Sequence, residues 1–250
     1  MSQFAIGLDF GTESGRALVV DVATGRVVGS AVHPYADGVI DKHLPGTTIT
    51  LEPDTALQNP NDYIETLKRA VPEAMKQGGA RAEDVIGIGV DFTACTVLPT
   101  LADGTPLCNV PQWKTNPHAW VKLWKHHAAQ PEANKINEVA RARDEPWLPI
   151  YGGIVSSEWC HSKTLQILND APEIYNATDK IVEAGDWIVW QMTGVMKRNA
   201  CAAGYKGLWQ KESGYPNNDF LRALDPRLDR LNETKLAGEI VAPGTRVGAL

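Results

Sequence analysis

The sequence predicts a mixed α/β fold whose sheet combines antiparallel and parallel strands. Apolar runs rich in strand formers occupy residues 4–10, 16–22 and 27–32 and are separated by turn residues, which predicts an antiparallel meander. Residues 62–79 carry apolar side chains at helical spacing and end in two glycines. Residues 85–90 follow as a strand of the buried type, which the helical crossover would place parallel to a strand of the meander.

The rest of the chain predicts further strands and helices in less regular order. Strands are predicted at residues 96–101 and 181–184, and helices at residues 119–129 and 132–143. The predicted helix N-caps are Asp62, Ser156 or Ser157, and Asp186. Because no internal repeat or low-complexity linker interrupts these elements, we expect one domain over residues 1–250 with insertions.

Composition and charge exclude several classes of protein. The net charge is -6 and no dense basic run occurs, so a binder of nucleic-acid backbones is not expected. No apolar run approaches the roughly 20 residues that span a bilayer, and the first residues lack the basic and apolar regions of a secretory signal. Cys95, Cys108, Cys160 and Cys201 are widely spaced, which favours reduced thiols. We therefore expect a cytoplasmic protein that binds neither nucleic acid nor membrane.

The segment with the clearest chemistry is residues 6–16, which read IGLDFGTESGR. A carboxylate, Asp9, ends a buried strand, and Gly11 follows two positions later, with hydroxyl side chains at Thr12 and Ser14 in the turn. Gly11 has no Cβ, so a bulky anion can approach its backbone closely. Successive N–H groups with hydroxyls beside them form an anion-binding concavity.

Asp9 fits beside a phosphate only if a cation lies between them, and Mg²⁺ with its retained waters suits that position. Arg16 can reach phosphate or pair with an acidic neighbour. The alternative is a tight hairpin whose polar residues serve only the turn. Neither a Walker A loop nor a dinucleotide fingerprint fits, because the turn opens a strand and no Gly-Lys-Ser/Thr precedes a helix.

The run at residues 7–16 resembles the first phosphate motif of the actin-like ATPase superfamily, in its FGGY carbohydrate kinase form. Four further segments resemble that family in order, at residues 87–96, 123–129, 151–163 and 203–209. Five ordered matches along the chain are far more specific than one. The resemblance implies an actin-like ATPase (ribonuclease H-like) α/β domain, with a mixed sheet flanked by helices and with helical insertions.

The resemblance also implies which residues act. Family members have two actin-like domains, with the sugar mainly on the first and ATP mainly on the second, so residues 1–250 would be the sugar-binding half. ATP and Mg²⁺ are the implied cofactors. The implied phosphate and Mg²⁺ residues are Asp9, Gly11, Thr12, Ser14 and Arg16. The implied sugar contacts are Ala94, Cys95, Trp124, Lys125 and Lys206.

The implied substrate is a ketopentose. Glycerol kinases carry an Arg-Glu pair where this chain has the small residues Ala94 and Cys95, which leave room for a longer polyol. The similarity is greatest to family members that phosphorylate L-ribulose to L-ribulose 5-phosphate in L-arabinose catabolism. A kinase for xylulose or another polyol, and a non-catalytic actin/Hsp70-like ATP switch, remain the alternatives. The resemblance also allows a homodimer.

The catalytic base of the family is an aspartate near the start of the second domain. Residues 208–250 offer no candidate for it, so we expect that aspartate beyond Leu250 and negligible kinase turnover by this polypeptide alone. Cys160 has no evident orienting partner, which predicts a buried thiol and not a nucleophile.

Overall fold

The structure, a computed structural model, describes residues 3–250, which form two compact units. Unit 1 contains residues 3–39 and 58–93, and unit 2 contains residues 40–57 and 94–250. The expectation of one domain over the whole chain stays a prediction. Over the described residues, no helix combines the length and the apolar character needed to cross a bilayer.

Strands and α-helices are mixed along the chain, with the first four strands preceding the first α-helix. The strands are β1 (Phe4–Phe10), β2 (Ser14–Asp21), β3 (Val27–Pro34), β4 (Leu57–Gln58), β5 (Val85–Phe92), β6 (Val97–Thr100), β7 (Val121–Lys122), β8 (Lys180–Glu183), β9 (Arg198–Asn199) and β10 (Ile240–Val241). The α-helices are α1 (Pro60–Gly78), α2 (Gln130–Ala142), α3 (Cys160–Asp170), α4 (Pro172–Ala177), α5 (Ala184–Thr193), α6 (Ala200–Tyr205) and α7 (Asn218–Leu224).

Unit 1 is built on a four-stranded sheet with the order β3-β2-β1-β5. β1 and β2 pair antiparallel, as do β2 and β3, whereas β1 and β5 pair parallel. The predicted meander and its parallel neighbour are therefore confirmed. Alternate side chains of β1, among them Ile6, Leu8 and Phe10, are buried, as the period of two in a strand requires.

Helix α1 begins at Pro60, with the Asn59 side chain accepting a hydrogen bond from the Asn61 N–H. The predicted N-cap, Asp62, is wrong. Asp62 lies in the first turn, and its carboxylate accepts a hydrogen bond from the Ala36 N–H at 3.0 Å. Proline at the first helical position needs no N–H partner, so the helix begins before the aspartate.

Two glycines let α1 pack closely on β2 and β3. A Cβ on Gly29 would lie 2.0 Å from the Ala74 carbonyl oxygen, and a Cβ on Gly15 would lie 2.3 Å from the Thr66 Cγ2. Neither approach leaves room for a side chain. These strand glycines therefore set the distance between the helix and the sheet.

Unit 2 contains a sheet with the order β4-β7-β6-β8 and a largely helical remainder. β6 pairs antiparallel with both β7 and β8, and β9 pairs parallel with β10 in a separate two-stranded sheet. The apolar core of this unit includes Trp147 and Phe220, whose rings meet edge to face with centroids 5.1 Å apart.

The helix predicted at residues 119–129 is wrong, whereas the helix predicted at residues 132–143 is confirmed as α2. The chain instead forms a 3₁₀ turn at Pro117–Ala119 and then β7. The Leu123 N–H donates to the Ala56 carbonyl oxygen at 3.0 Å, a partner outside the segment. Tertiary pairing has thus replaced the helical hydrogen bonds.

The other two predicted caps are also wrong. Ser156 precedes α3 by several residues, and its hydroxyl accepts a hydrogen bond from the Glu158 N–H within a local turn. Asp186 lies inside α5, which begins two residues earlier, and its carboxylate accepts a hydrogen bond from the Asn199 N–H at 2.9 Å. In both places the polar side chain binds a backbone N–H other than those of the helix that it was predicted to cap.

Candidate functional site

The phosphate-side residues lie together in the β1–β2 hairpin of unit 1. Asp9 and Arg16 face each other across the strand pair, and Arg16 Nη1 donates to Asp9 Oδ2 at 2.7 Å. Of the two partners that the sequence left open for Arg16, the structure shows the acidic one. Both side chains are almost half exposed, at 47% and 44%, so this pair contributes no more than about 1 kcal/mol to stability.

The turn itself is tight. The Gly11 N–H donates to the Ser14 carbonyl oxygen at 3.0 Å, and a Cβ on Gly11 would lie 3.2 Å from that same oxygen. The Thr12 carbonyl oxygen accepts a hydrogen bond from Gln58 Nε2 at 2.8 Å, which fixes the tip. Gly11, Thr12 and Ser14 are all partly exposed, so a ligand can reach them.

The donor set suits a hydrated Mg²⁺ better than a fully protein-bound ion. Asp9 supplies one hard carboxylate, partly exposed, and Mg²⁺ commonly binds proteins through one or two carboxylates while keeping several waters. Within residues 3–250, no cluster of three or more His, Cys, Asp or Glu side chains is arranged to hold a metal. The hairpin therefore fits a cation shared with a phosphate ligand.

Among the predicted sugar contacts, in unit 2, the Ala94–Cys95 pair is held in a special backbone conformation. Ala94 is exposed, whereas Cys95 is 1% exposed and has a φ of 67°. The Cys95 N–H donates to Glu183 Oε2 at 3.0 Å, and the Cys95 carbonyl oxygen accepts from Lys163 Nζ at 2.6 Å. Burial raises the pKa of the Cys95 thiol well above its usual range. A ligand at this surface would meet Ala94 and not the thiol.

Lys163 also contacts the segment at residues 123–129, which carries the predicted contacts Trp124 and Lys125. Its Nζ donates to the Leu123 carbonyl oxygen at 2.8 Å, immediately before Trp124 and Lys125. Trp124 and Lys125 are partly exposed, and the Lys163 side chain is fully buried. Burial lowers the pKa of the Lys163 ammonium.

Lys206 lies just after α6 and forms an ion pair with Glu158, at 3.0 Å between Nζ and Oε2. Both side chains are about one-fifth exposed. The other oxygen of Glu158 lies 3.8 Å from His127 Nε2. An ammonium carries three protons, so Lys206 can keep this pair and still donate to a ligand.

Helix α3 contacts the three segments that carry the predicted sugar contacts, at Ala94–Cys95, Trp124–Lys125 and Lys206. The N–H of its first residue, Cys160, donates to the Lys206 carbonyl oxygen at 3.3 Å, and Lys163 on the next turn binds the carbonyls of Cys95 and Leu123. The predicted buried character of Cys160 is confirmed, and burial raises its pKa to about 12. All four cysteines of the chain are free thiols.

Glu183 is the residue of this region that the sequence did not indicate. It ends β8, and burial raises the pKa of its carboxyl well above the usual range. Only its position as the last residue of the short strand Lys180–Glu183 could have drawn attention to it. Its partner Cys95 lies 88 residues earlier in the chain.

Solved structures of sugar kinases share this fold. The gluconate kinase from Lactobacillus acidophilus has a TM-score of 0.70 at 14% identity, with 100% of this chain and 44% of that chain covered. The ligand-bound xylulose kinase from the same organism has a TM-score of 0.69 at 14% identity, with 99% and 44% covered. These similarities show the fold, and the predicted actin-like α/β fold with a mixed sheet is confirmed.

The family follows from sequence. The family model described as "FGGY family of carbohydrate kinases, N-terminal domain" matches residues 4–246. This chain belongs to the FGGY family of carbohydrate kinases, as its motifs predict. The ribulokinase of Geobacillus thermodenitrificans is 57% identical over 248 residues, which are 99% of this chain and 44% of that protein. The ribulokinase of Mycolicibacterium smegmatis is 51% identical over 249 residues, again 99% and 44%. The chain thus spans less than half the length of these curated relatives.

Proposed function

We propose that this chain is the sugar-binding domain of an ATP-dependent ribulokinase, an enzyme that phosphorylates L-ribulose to L-ribulose 5-phosphate in L-arabinose catabolism. Membership of the FGGY family and identities of 51% and 57% to proteins named ribulokinase support this assignment. The observation that carries it is the small, exposed Ala94, which directly precedes Cys95, whose backbone is bound by Glu183 and Lys163 in unit 2.

The proposed sugar contacts have different chemical roles. Ala94 leaves space for a five-carbon chain, and Lys206 donates to sugar oxygens while Glu158 holds its ammonium in place. Trp124 offers a ring face to the apolar side of the sugar, and Lys125 a second cation. Cys95 contributes through its backbone, because its thiol is buried.

The proposed phosphate side is the β1–β2 hairpin of unit 1. Asp9 would hold Mg²⁺ through water, and the hydroxyls of Thr12 and Ser14 would face the ATP phosphates, which the lack of a Cβ at Gly11 lets approach the backbone closely. Mg²⁺, when bound, supplies positive charge to the phosphate oxygens. Arg16 orients Asp9 through the ion pair and can turn to the phosphate when the cation takes its place.

The proposal includes a cytoplasmic location, a homodimer, and no binding of nucleic acid or membrane. Four free thiols are typical of a reducing compartment, and a net charge of -6 opposes binding to nucleic-acid phosphates. The xylulose and gluconate kinases found by structure are too distant in sequence to favour their substrates for this chain.

Isothermal titration calorimetry with L-ribulose, D-xylulose, glycerol and ATP tests the proposal. We expect L-ribulose to bind more tightly than the other two polyols. Lys206→Met should weaken that binding by about tenfold or more, because a hydrogen bond from a charged donor contributes roughly 1.5–3 kcal/mol. The matched control is Lys211→Met, which removes an exposed lysine of the same unit and should leave the Kd unchanged.

Two outcomes would contradict the proposal. Tighter binding of D-xylulose or glycerol would assign the site to another polyol. A response to ATP with none to any sugar would favour the actin/Hsp70-like ATP switch.

A further inference from the structure

Cys95 adopts a backbone conformation that its side chain disfavours. Its φ of 67° lies in the left-handed region, which a residue with a Cβ occupies less readily than glycine by a factor on the order of ten. Strained residues of this kind persist only where their surroundings hold them. Cys95 directly follows Ala94, the exposed residue of the proposed sugar surface.

Two buried side chains hold this conformation from opposite sides. Glu183 Oε2 accepts from the Cys95 N–H at 3.0 Å, and Lys163 Nζ donates to the Cys95 carbonyl oxygen at 2.6 Å. Lys163 is 0% exposed and Glu183 is 8% exposed, so water competes little for either bond. We call Lys163 and Glu183, with the two bonds to Cys95, the backbone clamp.

The partners of Lys163 are unusual for a buried ammonium. Its Nζ donates to the main-chain oxygens of Cys95 at 2.6 Å and of Leu123 at 2.8 Å. A third main-chain oxygen, that of Lys122, lies 3.5 Å from the same Nζ. No carboxylate of the described residues 3–250 forms an ion pair with it within 4.0 Å. The buried carboxyl of Glu183 attracts this ammonium electrostatically, but the groups that bind it directly are main-chain oxygens of two separate segments.

Glu183 also lines a small cavity. Oε1 has no hydrogen-bond partner among the described residues, and the cavity, of about 10 Å³, is also lined by Arg198, Asp186 and Tyr215. That volume is about the size of one water molecule. A water there would satisfy Oε1 and leave Oε2 free to hold Cys95.

We propose that Lys163 is a positioning residue for sugar binding: by fixing the carbonyls of Cys95 and Leu123, it holds the two sugar-side segments in register with each other. Glu183 completes the hold from the amide side of Cys95. This inference rests on the proposed function, because it assigns the surface at Ala94 to the sugar. Lys163 itself is buried and does not touch the ligand.

The first test is cysteine alkylation by iodoacetamide, resolved by peptide mass spectrometry. In the wild-type chain, exposed Cys201 should react and buried Cys95 and Cys108 should not. Lys163→Met should raise the Cys95 rate at least tenfold while Cys108, elsewhere in the same core, stays protected. The matched control is Lys122→Met, which removes an equally buried lysine whose Nζ lies by His118. It should leave Cys95 protected.

In a Lys163→Met variant whose circular dichroism matches that of the wild type, parallel rises at Cys95 and Cys108 would show that Lys163 supports the whole core and not Cys95 in particular, and no rise at Cys95 would show that the clamp does not depend on Lys163. Either result overturns the inference. If Lys163→Met does not fold, Lys163→Gln, which keeps one donor, gives the same comparison with a smaller expected rise at Cys95.

The second test is the Kd for L-ribulose, measured by calorimetry on the same variants. Lys163→Met should raise the Kd about tenfold and Lys122→Met should not, although both remove a buried lysine. An unchanged Kd in Lys163→Met with Cys95 exposed overturns the positioning role. Failure of the wild-type chain to bind L-ribulose would instead refute the proposed function, and the alkylation pattern would still decide whether the clamp exists.

Discussion

Replacing His161 with leucine should make the chain more stable, and the gain should grow in acid. The imidazole is 3% exposed and lies beside Tyr215, with ring centroids 6.2 Å apart. Among the described residues, neither of its ring nitrogens has a hydrogen-bond partner. Burial lowers the pKa of His161 from 6.5 to about 4. Leucine would fill a similar volume without burying unsatisfied polar atoms.

The size of the stability gain follows from the unsatisfied ring nitrogens and from the lowered pKa of His161. At pH 7.5 the ring is neutral, and folding removes its two nitrogens from water without giving them a partner. The leucine variant avoids this penalty, which is about 1 kcal/mol at the low end. Below pH 6.5 the unfolded chain binds a proton that the folded chain does not, so wild-type stability falls by about 1.4 kcal/mol per pH unit. That loss ends as pH falls through the folded pKa, about 4. The leucine variant should therefore gain about 1 kcal/mol at pH 7.5 and about 2.5 kcal/mol at pH 5.5.

Urea unfolding followed by tryptophan fluorescence measures this directly. All eight tryptophans lie in unit 2, which also contains His161. The control is His43→Leu, which removes an exposed imidazole from the same unit and should give no comparable gain. A destabilised His161→Leu variant, or a gain that does not change between pH 7.5 and 5.5, would refute the reasoning.

Other substitutions test separate parts of the structure. Gly29→Ala should destabilise unit 1 by about 2 kcal/mol in urea unfolding followed by circular dichroism, because its Cβ would lie 2.0 Å from an α1 carbonyl oxygen. Gly87→Ala, with nothing within 4 Å, is its control, and equal losses would contradict the packing argument. A double-mutant cycle on Asp9 and Arg16 should give a coupling free energy of unfolding below about 1 kcal/mol, because both side chains are almost half exposed. A coupling free energy above about 2 kcal/mol would contradict the view that water screens this pair. Glu183→Gln should become increasingly more stable than the wild type as pH rises from 5.5 to 8 in urea titrations. Burial raises the folded pKa of Glu183, so the unfolded wild-type chain loses this proton before the folded chain does, and wild-type stability falls as pH rises. A stability difference that shrinks with rising pH would contradict this.

The sequence predicts unit 1 well because its signals are local. Strand alternation, turn glycines and the helical spacing before Gly78 are each visible within a few residues. Short turns make β1, β2 and β3 antiparallel neighbours, and the crossover through α1 makes β5 parallel to β1. The start of α1 differs from the prediction because Asn59 and Pro60 form a stronger start signal than Asp62. The second strand, β2, begins at Ser14, two residues before its predicted start.

Unit 2 was harder to predict because its decisive contacts join distant residues. The segment around Trp120 and Trp124 has apolar spacing compatible with a helix, yet the Leu123 N–H pairs with Ala56. The residues of the sugar side were assigned from family motifs, and those assignments stay predictions. Glu183 was missed because its role depends on a contact with a distant loop, for which a single sequence carries no signal.

A crystal structure of this chain soaked with L-ribulose tests the central claim most directly. We expect sugar density against Ala94, with the Lys206 Nζ within hydrogen-bond distance of a sugar oxygen and the Cys95 thiol still buried. L-ribulose bound elsewhere on the chain, or at that surface without a contact to Lys206, would contradict it.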